Sequence, residues 1–270
     1  MRKILLVDTY NMIHRSRFGW NSGDHAITFT FFRSLRSEIE RHSPDKVYIV
    51  SEGRPVHREK INPDYKANRV PLKDPDFHRQ KRDIFELCKL LPVTVIRHPD
   101  FECDDVIGHL TDVTHKMDKV VICSSDSDFI QLIEDDRVFL WNPVKKKFVE
   151  KWPVDYVLWK SLRGDKTDNV PGIKGVGDKT AFKLAYDKEL LENFLTPEKR
   201  KIFESAMTQI RLASIEKEDE KIEEKDYTFD EGSLKNAFTT RQFKSIIEKA
   251  WPKWQNSLEG LNAKRTTKAE

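Results

Sequence analysis

Short apolar runs that stop at or just before acidic residues recur along the first half of this chain, with helical periodicity between them. The runs are 3–7, 46–50, 93–96 and 120–123, and each is too short to be anything but a buried strand. Between them, 26–42 repeats Phe29, Phe32, Leu35 and Ile39 at helical spacing, 76–91 and 104–115 read as helices, and a short helix starts at Phe129. Strand and helix in alternation predict an α/β fold: a largely parallel central sheet with helices on both faces. Sites in such sheets gather at the carboxyl ends of the strands. The acids fall there: Asp8 after the first run, Glu52 after the second, Glu102, Asp104 and Asp105 after the third, Asp126 and Asp128 after the fourth.

Each acid alone is equally well explained as a helix cap or a strand end. Brought together at one sheet edge, they would repel one another strongly without cations between them. Ligation by oxygen alone favours a hard ion, Mg²⁺ or Mn²⁺, over zinc. Cys103 lies among the acids but suits packing better than Mg²⁺ ligation, and His14, His57 and His98 show no ligand spacing.

A second constellation follows at 164–181, reading G-D-x-x-D-N-x-P-G-x-x-G-x-G-x-K-T-A. The spacing of Gly172 and Gly177 fits a phosphate-binding P-loop, but Asp178 stands where that loop needs lysine, and no apolar strand precedes it. A helix–hairpin–helix fits better. Gly172, Gly175 and Gly177 would let a nucleic-acid backbone approach a helix N-terminus, with Lys179 and Thr180 beside it. Asp165 and Asp168, just before this turn, place metal ligands beside a phosphate clamp.

The 270 residues suffice for one sizeable core and a smaller lobe, and the formal charge of +3 does not by itself announce a nucleic-acid binder. Charge is uneven, however. From Arg54 to Lys89 ten basic residues face six acidic ones, whereas 216–226 leans acidic and reads as a solvated helix end or linker. Cys88, Cys103 and Cys123 lack metal or disulfide spacing and read as free thiols. No run has the length of a signal peptide core or a membrane span, so a soluble, cytoplasmic protein is expected.

The motifs resemble those of the structure-specific 5′ nucleases: flap endonucleases, the 5′-nuclease domain of bacterial DNA polymerase I and phage 5′–3′ exonucleases. Those segments are L-L-V-D at 5–8 with Asn11, N-P-D-Y-K-A-N-R at 62–69, E-C-D-D at 102–105, S-D-S-D-F at 125–129, and 164–181. The resemblance implies a PIN-like nuclease core with a helical arch. It implies a core over 1–160, with a basic arch segment at about 53–90. A mainly helical DNA-binding region would cover 161–270, with its helix–hairpin–helix at about 164–187. Asp8, Glu102, Asp104 and Asp126 would hold one metal, with Glu52 direct or through water, and Asp105 in support. Asp126, Asp128, Asp165 and Asp168 would hold the other. Glu52 departs from the family, which usually has Asp there. Lys66 and Arg69, one helical turn apart at the start of the arch, would face the scissile phosphate, and Tyr65 would stack on a base or pack at the arch base.

Implied cofactors are two Mg²⁺, replaceable by Mn²⁺, and a K⁺ at the hairpin turn. The implied partners are branched or 5′-flap duplex DNA or an RNA–DNA hybrid, met by a monomer away from membranes, with a replication protein as a further, unidentified partner. Two rival functions are a non-catalytic branched-DNA binding protein and a related acidic-core ribonuclease. Arg58, Lys60, Arg79 and Arg82 are generic candidates for phosphate contact or solvent. Phe238, Phe243, Ile246, Ile247 and Trp251 form either a partner-binding face or core, and 262–270 reads as a flexible tail.

Overall fold

The computed structural model describes residues 1–19 and 23–267. Its centre is the expected sheet. Strands β1 (Lys3–Asp8), β2 (Lys46–Val50), β3 (Thr94–Arg97), β4 (Lys119–Cys123) and β5 (Val138–Asn142) run parallel in the order β5-β4-β1-β2-β3. Two antiparallel edge strands, β6 (Lys147–Phe148) beside β5 and β7 (Glu223–Asp226) beside β3, complete it among the described residues. Leu5 lies opposite both Val47 and Val121, so the strand period of two sorts the apolar side chains cleanly. Leu5, Val7, Val47, Ile49 and Val121 face one layer, and Ile4, Leu6, Tyr48, Val50 and Ile122 face the other. Burial on both faces explains why these strands read as continuous apolar runs.

The first face is covered by α2 (Ala26–His42) and α4 (Pro75–Cys88), the second by α5 (Cys103–His109). Helix α1 (Thr9–Ser16) starts directly at the end of β1, capped by Asp8. The strand order reverses direction at β1, which has β2 on one side and β4 on the other, so a crevice opens at their carboxyl ends.

Helices α6 (Tyr156–Arg163), α7 (Asp178–Tyr186), α8 (Lys188–Phe194) and α9 (Pro197–Ile210) form a separate apolar cluster around Trp159, Leu162, Ile173, Val176, Leu184 and Phe203. The first helix of the hairpin is therefore α6, upstream of the 164–187 expected for the motif, and residue 160 falls inside it rather than at a boundary. The chain then returns to the core. Strand β7 lies within the stretch expected to be a linker, its charges paired as Arg97–Glu223 at 2.7 Å and Lys46–Glu224 at 3.3 Å. Helices α10 (Glu231–Thr240), α11 (Lys244–Ile247) and α12 (Trp251–Thr267) pack Phe238, Phe243, Ile246, Trp251 and Trp254 into the core cluster of α2. The aromatic face is core, and 161–270 is not a single helical region.

Two further expectations change. Residues 262–267 belong to α12, anchored by Lys264 Nζ to Ser43 O at 3.1 Å and Arg265 Nη1 to Tyr227 O at 2.6 Å; 268–270 lie outside the described residues. Of the 53–90 arch segment, α4 belongs to the body, with Phe77, Ile84 and Leu87 buried. What remains is the six-residue α3 (Val56–Ile61) and a run of turns, because Asn62-Pro63 breaks the helix.

Candidate metal centre and nucleic-acid interface

The first carboxylate group sits at the carboxyl ends of β1, β2 and β4. Asp8, nearly buried, accepts from Asn11 N at 3.1 Å and from Ser124 Oγ at 2.7 Å. Burial pushes its carboxyl up to about 6, with Asp126 adding to the effect. Glu52 accepts from Cys103 N at 3.3 Å and is pushed up to about 7, by burial first and then by Glu102 and Asp8. Asp104, in the first turn of α5, is raised well above the carboxylate range by burial and by Asp126, Asp8 and Glu52. Asp126 caps the 3₁₀ turn Ser127–Leu132 through Asp128 N at 2.9 Å. Cys103 Sγ lies 3.9 Å from Asp8 and 3.5 Å from Val50 O, a buried packing position. Asp8, Glu52, Asp104 and Asp126 thus share one field of mutual repulsion. All-oxygen donors crowded in this way fit hard divalent ions.

The second group is Asp128, Asp165 and Asp168, whose carboxylate oxygens lie within 4.8 Å of one another. Asp165 and Asp168 sit on a tight loop closed by Asp165 N to Val170 O at 2.9 Å and Val170 N to Asp165 O at 2.8 Å. Lys160, only 5% exposed, reaches both Asp128 and Asp165, the latter at 2.6 Å. Burial works against ionisation of Asp165, but Lys160 outweighs it and holds the carboxyl below its ordinary range. Asp128 is nonetheless pushed up to about 6, chiefly by burial, against the pull of Lys160.

Glu102 borders the first group, where it raises Glu52, and both it and Asp105 are paired with the chain's own cations. Arg58 is 2% exposed and donates at 2.7 Å to Glu102 and, through both terminal nitrogens, at 2.7 Å to Asp105. Its Nε donates to Gln209 O at 2.9 Å. Asp105 is 0% exposed and also accepts from Ala213 N at 2.8 Å. Its geometry is that of a brace rather than a metal ligand, and Arg58 is neither a phosphate contact nor solvated. Glu102 also accepts from Tyr65 OH at 3.0 Å and from Lys66. Tyr65 is buried with its hydroxyl 3.3 Å from Asp168, so its ring packs at the base of the segment and has no free face for a base.

Lys66 and Arg69 do meet, but not on a helix. Lys66 has φ of 55° in a turn, its N–H donating to Asp168 O at 3.0 Å. Both side chains pair with Asp168, Lys66 at 3.7 Å. The turn 62–69 is clasped to the 165–170 loop by Asn62 Nδ2 to Asn169 O at 3.3 Å, Asn68 Nδ2 to Lys166 O at 2.8 Å and Asn169 Nδ2 to Asp64 O at 2.9 Å. This clasp puts two cations at the mouth of the carboxylate crevice.

In the hairpin, the glycines divide into two kinds. A Cβ on Gly172 would lie 2.1 Å from Arg163 O, so this glycine serves the close packing of the loop on the end of α6 instead of DNA approach. Gly175, at φ of 84°, and Gly177, which caps α7, have nothing within 4 Å of a Cβ position. Lys179 and Thr180 follow, exposed in the first turn of α7. The N-terminus of α7 is thus an open surface with free N–H groups, suited to a phosphate.

Two residues in the carboxylate network were missed as site residues. Lys160 carried a signal: it shares a helical stripe with Tyr156, Trp159 and Arg163, where periodicity asks for an apolar residue. Arg58 carried none, since its partners lie up to 153 residues away.

Residues 3–158 match the family model described as the 5′–3′ exonuclease, N-terminal resolvase-like domain. The chain is 35% identical over 214 residues to a 5′–3′ exonuclease of Aquifex aeolicus, covering 72% of this chain and 73% of that protein. It is 32% identical over 209 residues to a thermostable DNA polymerase I of Thermus thermophilus, covering 72% of this chain and 25% of that protein. The chain thus spans about a quarter of that polymerase's length. Among solved structures, the bacteriophage T5 flap endonuclease in a product complex with DNA and metal ions has a TM-score of 0.61 at 23% identity, covering 78% of this chain and 86% of that one. The flap endonuclease-1 of Methanococcus jannaschii has a TM-score of 0.61 at 12% identity, covering 99% and 93%. These likenesses show a shared fold.

Proposed function

The chain belongs to the 5′–3′ exonuclease family, and on that premise we propose that it is a structure-specific nuclease. It hydrolyses phosphodiesters of DNA, or of an RNA–DNA hybrid, near single-strand/duplex junctions and leaves 5′-phosphates. The observation that carries this reading is the meeting of two carboxylate groups at one crevice, Asp8, Glu52, Asp104 and Asp126 in one and Asp128, Asp165 and Asp168 in the other. We assign two Mg²⁺ to them, with Mn²⁺ as a substitute.

Bound there, such ions supply a water of lowered pKa and charge neutralisation at the scissile phosphate. The chain's own residues do the rest. Ser124 and Asn11 N fix the carboxylate of Asp8, and Arg58 with Asp105 fixes α5 so that Asp104 points into the crevice. Lys66 and Arg69 exchange Asp168 for a phosphoryl oxygen when substrate enters, and stabilise the charge that develops on it. The open turn at Gly175 and Gly177, with Lys179 and Thr180, grips the duplex backbone without reading sequence, and a K⁺ at this turn would strengthen the grip. The family setting and three free, buried cysteines favour work in the cytoplasm, as a monomer whose site needs no second chain.

An end-labelled 5′-flap duplex tests this reading. Cutting near the flap junction in Mg²⁺, none in EDTA, and a 5′-phosphate on the product are expected. Tight flap binding without cutting in Mg²⁺ or Mn²⁺ would leave a non-catalytic branched-DNA binder.

A further inference from the structure

Lys160 has no part in the function just described, yet its ammonium contacts two of the three carboxylates assigned to the second metal. It projects from α6 into the cup of Asp128, Asp165 and Asp168, contacting Asp128 and lying 2.6 Å from Asp165. We propose that Lys160 is a fixed internal counter-ion of this second site, competing with the divalent ion for Asp128 and Asp165 and keeping its affinity low. The inference rests on the metal-site reading above.

Its force comes from a contrast among the cations at the crevice. Lys66 and Arg69 approach Asp168 from the clasped turn, with side chains 18% and 51% exposed, so both can swing toward solvent or substrate. The Lys160 side chain is 6% exposed and rooted in the middle of a helix whose neighbours Val157, Trp159, Ser161 and Leu162 are buried. Its ammonium is held there by Asp128 and Asp165.

A divalent ion entering the cup must therefore share two of its three carboxylates with a positive charge held within a few ångströms. Like charges at such range repel strongly away from bulk water. With Lys160 in place the cup carries a net charge of about −2 instead of −3. The same ammonium keeps the metal-free cup from opening, because without it Asp128 and Asp165 would be unpaired buried charges.

Calorimetric titration of Mn²⁺ into the DNA-free protein tests this, using wild type, Lys160→Met, Lys160→Gln, Lys160→Arg and Asp165→Asn. The binding step that Asp165→Asn removes should tighten roughly tenfold or more in Lys160→Met and Lys160→Gln, and stay near wild type in Lys160→Arg. Melting supplies a second readout: the uncharged variants should lose stability in EDTA and regain more on Mn²⁺ addition than wild type does. Unchanged or weaker binding in both uncharged variants would overturn the proposal while leaving the metal site intact. Variants that stay unfolded in Mn²⁺ would also overturn it, because the ion could then not replace Lys160. If Asp165→Asn removes no binding step, the metal-site reading itself falls, and this inference with it.

Discussion

At the residue scale, the site depends on one arginine that touches neither substrate nor metal. Arg58 fills its donors with Glu102, Asp105 and the carbonyl of Gln209, in a position that water scarcely reaches. Removing one partner of a buried ion pair leaves the other charge uncompensated. Arg58→Met should therefore lower stability by about 3–5 kcal/mol, read from denaturant unfolding. A loss below about 1 kcal/mol, the range of surface pairs, would mean that Asp105 is not braced this way. This residue also marks where sequence reading stopped. An arginine in a basic segment is usually solvated, and only the folded chain brings the 209–211 backbone over it. The strand-end acids were legible because an apolar run ending in Asp or Glu is a local pattern.

At the scale of elements, the sheet was legible and the segment above the site was not. Strands β1, β2 and β4 announce themselves by uninterrupted burial, and α2 by its apolar stripe. By contrast, β7 is exposed at every residue, so its charges hide an edge strand that pairs through main-chain bonds and ion pairs. The turn at 62–69 takes its shape from bonds to the 165–170 loop, a long-range cause that a local Lys-x-x-Arg spacing does not contain. The hairpin offers a sharp comparison between glycines. Gly177→Val should cost at most about 1 kcal/mol of cap stability while weakening duplex binding several-fold, since its Cβ would enter open space where a phosphate approaches. Gly172→Ala should instead lower the melting temperature, because its Cβ would strike the backbone of Arg163 and Gly164. Equal effects of the two changes on melting would contradict this division.

At the scale of the whole molecule, the crevice links folding, pH and metal. Asp8 and Glu52 have folded-state carboxyls raised to about 6 and about 7, and Asp128 to about 6, so the metal-free fold holds protons that the unfolded chain would release. Stability from these groups is present below pH about 4 and is lost as pH rises through 6 and 7. In EDTA the melting temperature should lose that contribution between about pH 4 and 7, and Mg²⁺ should restore it most at the upper end. A Mg²⁺-induced gain that is the same at pH 5 and pH 8 would contradict the linkage. The central claim is that the two carboxylate groups form one metal-dependent nuclease centre, and Asp126 stands at their junction. The most direct test is single-turnover cleavage of a 5′-flap duplex in Mg²⁺ by Asp126→Ala, with flap affinity measured in parallel in Ca²⁺. Cleavage should fall by at least about 10²-fold with affinity within a few-fold of wild type. Cleavage at the wild-type rate would show that the chemistry is done elsewhere.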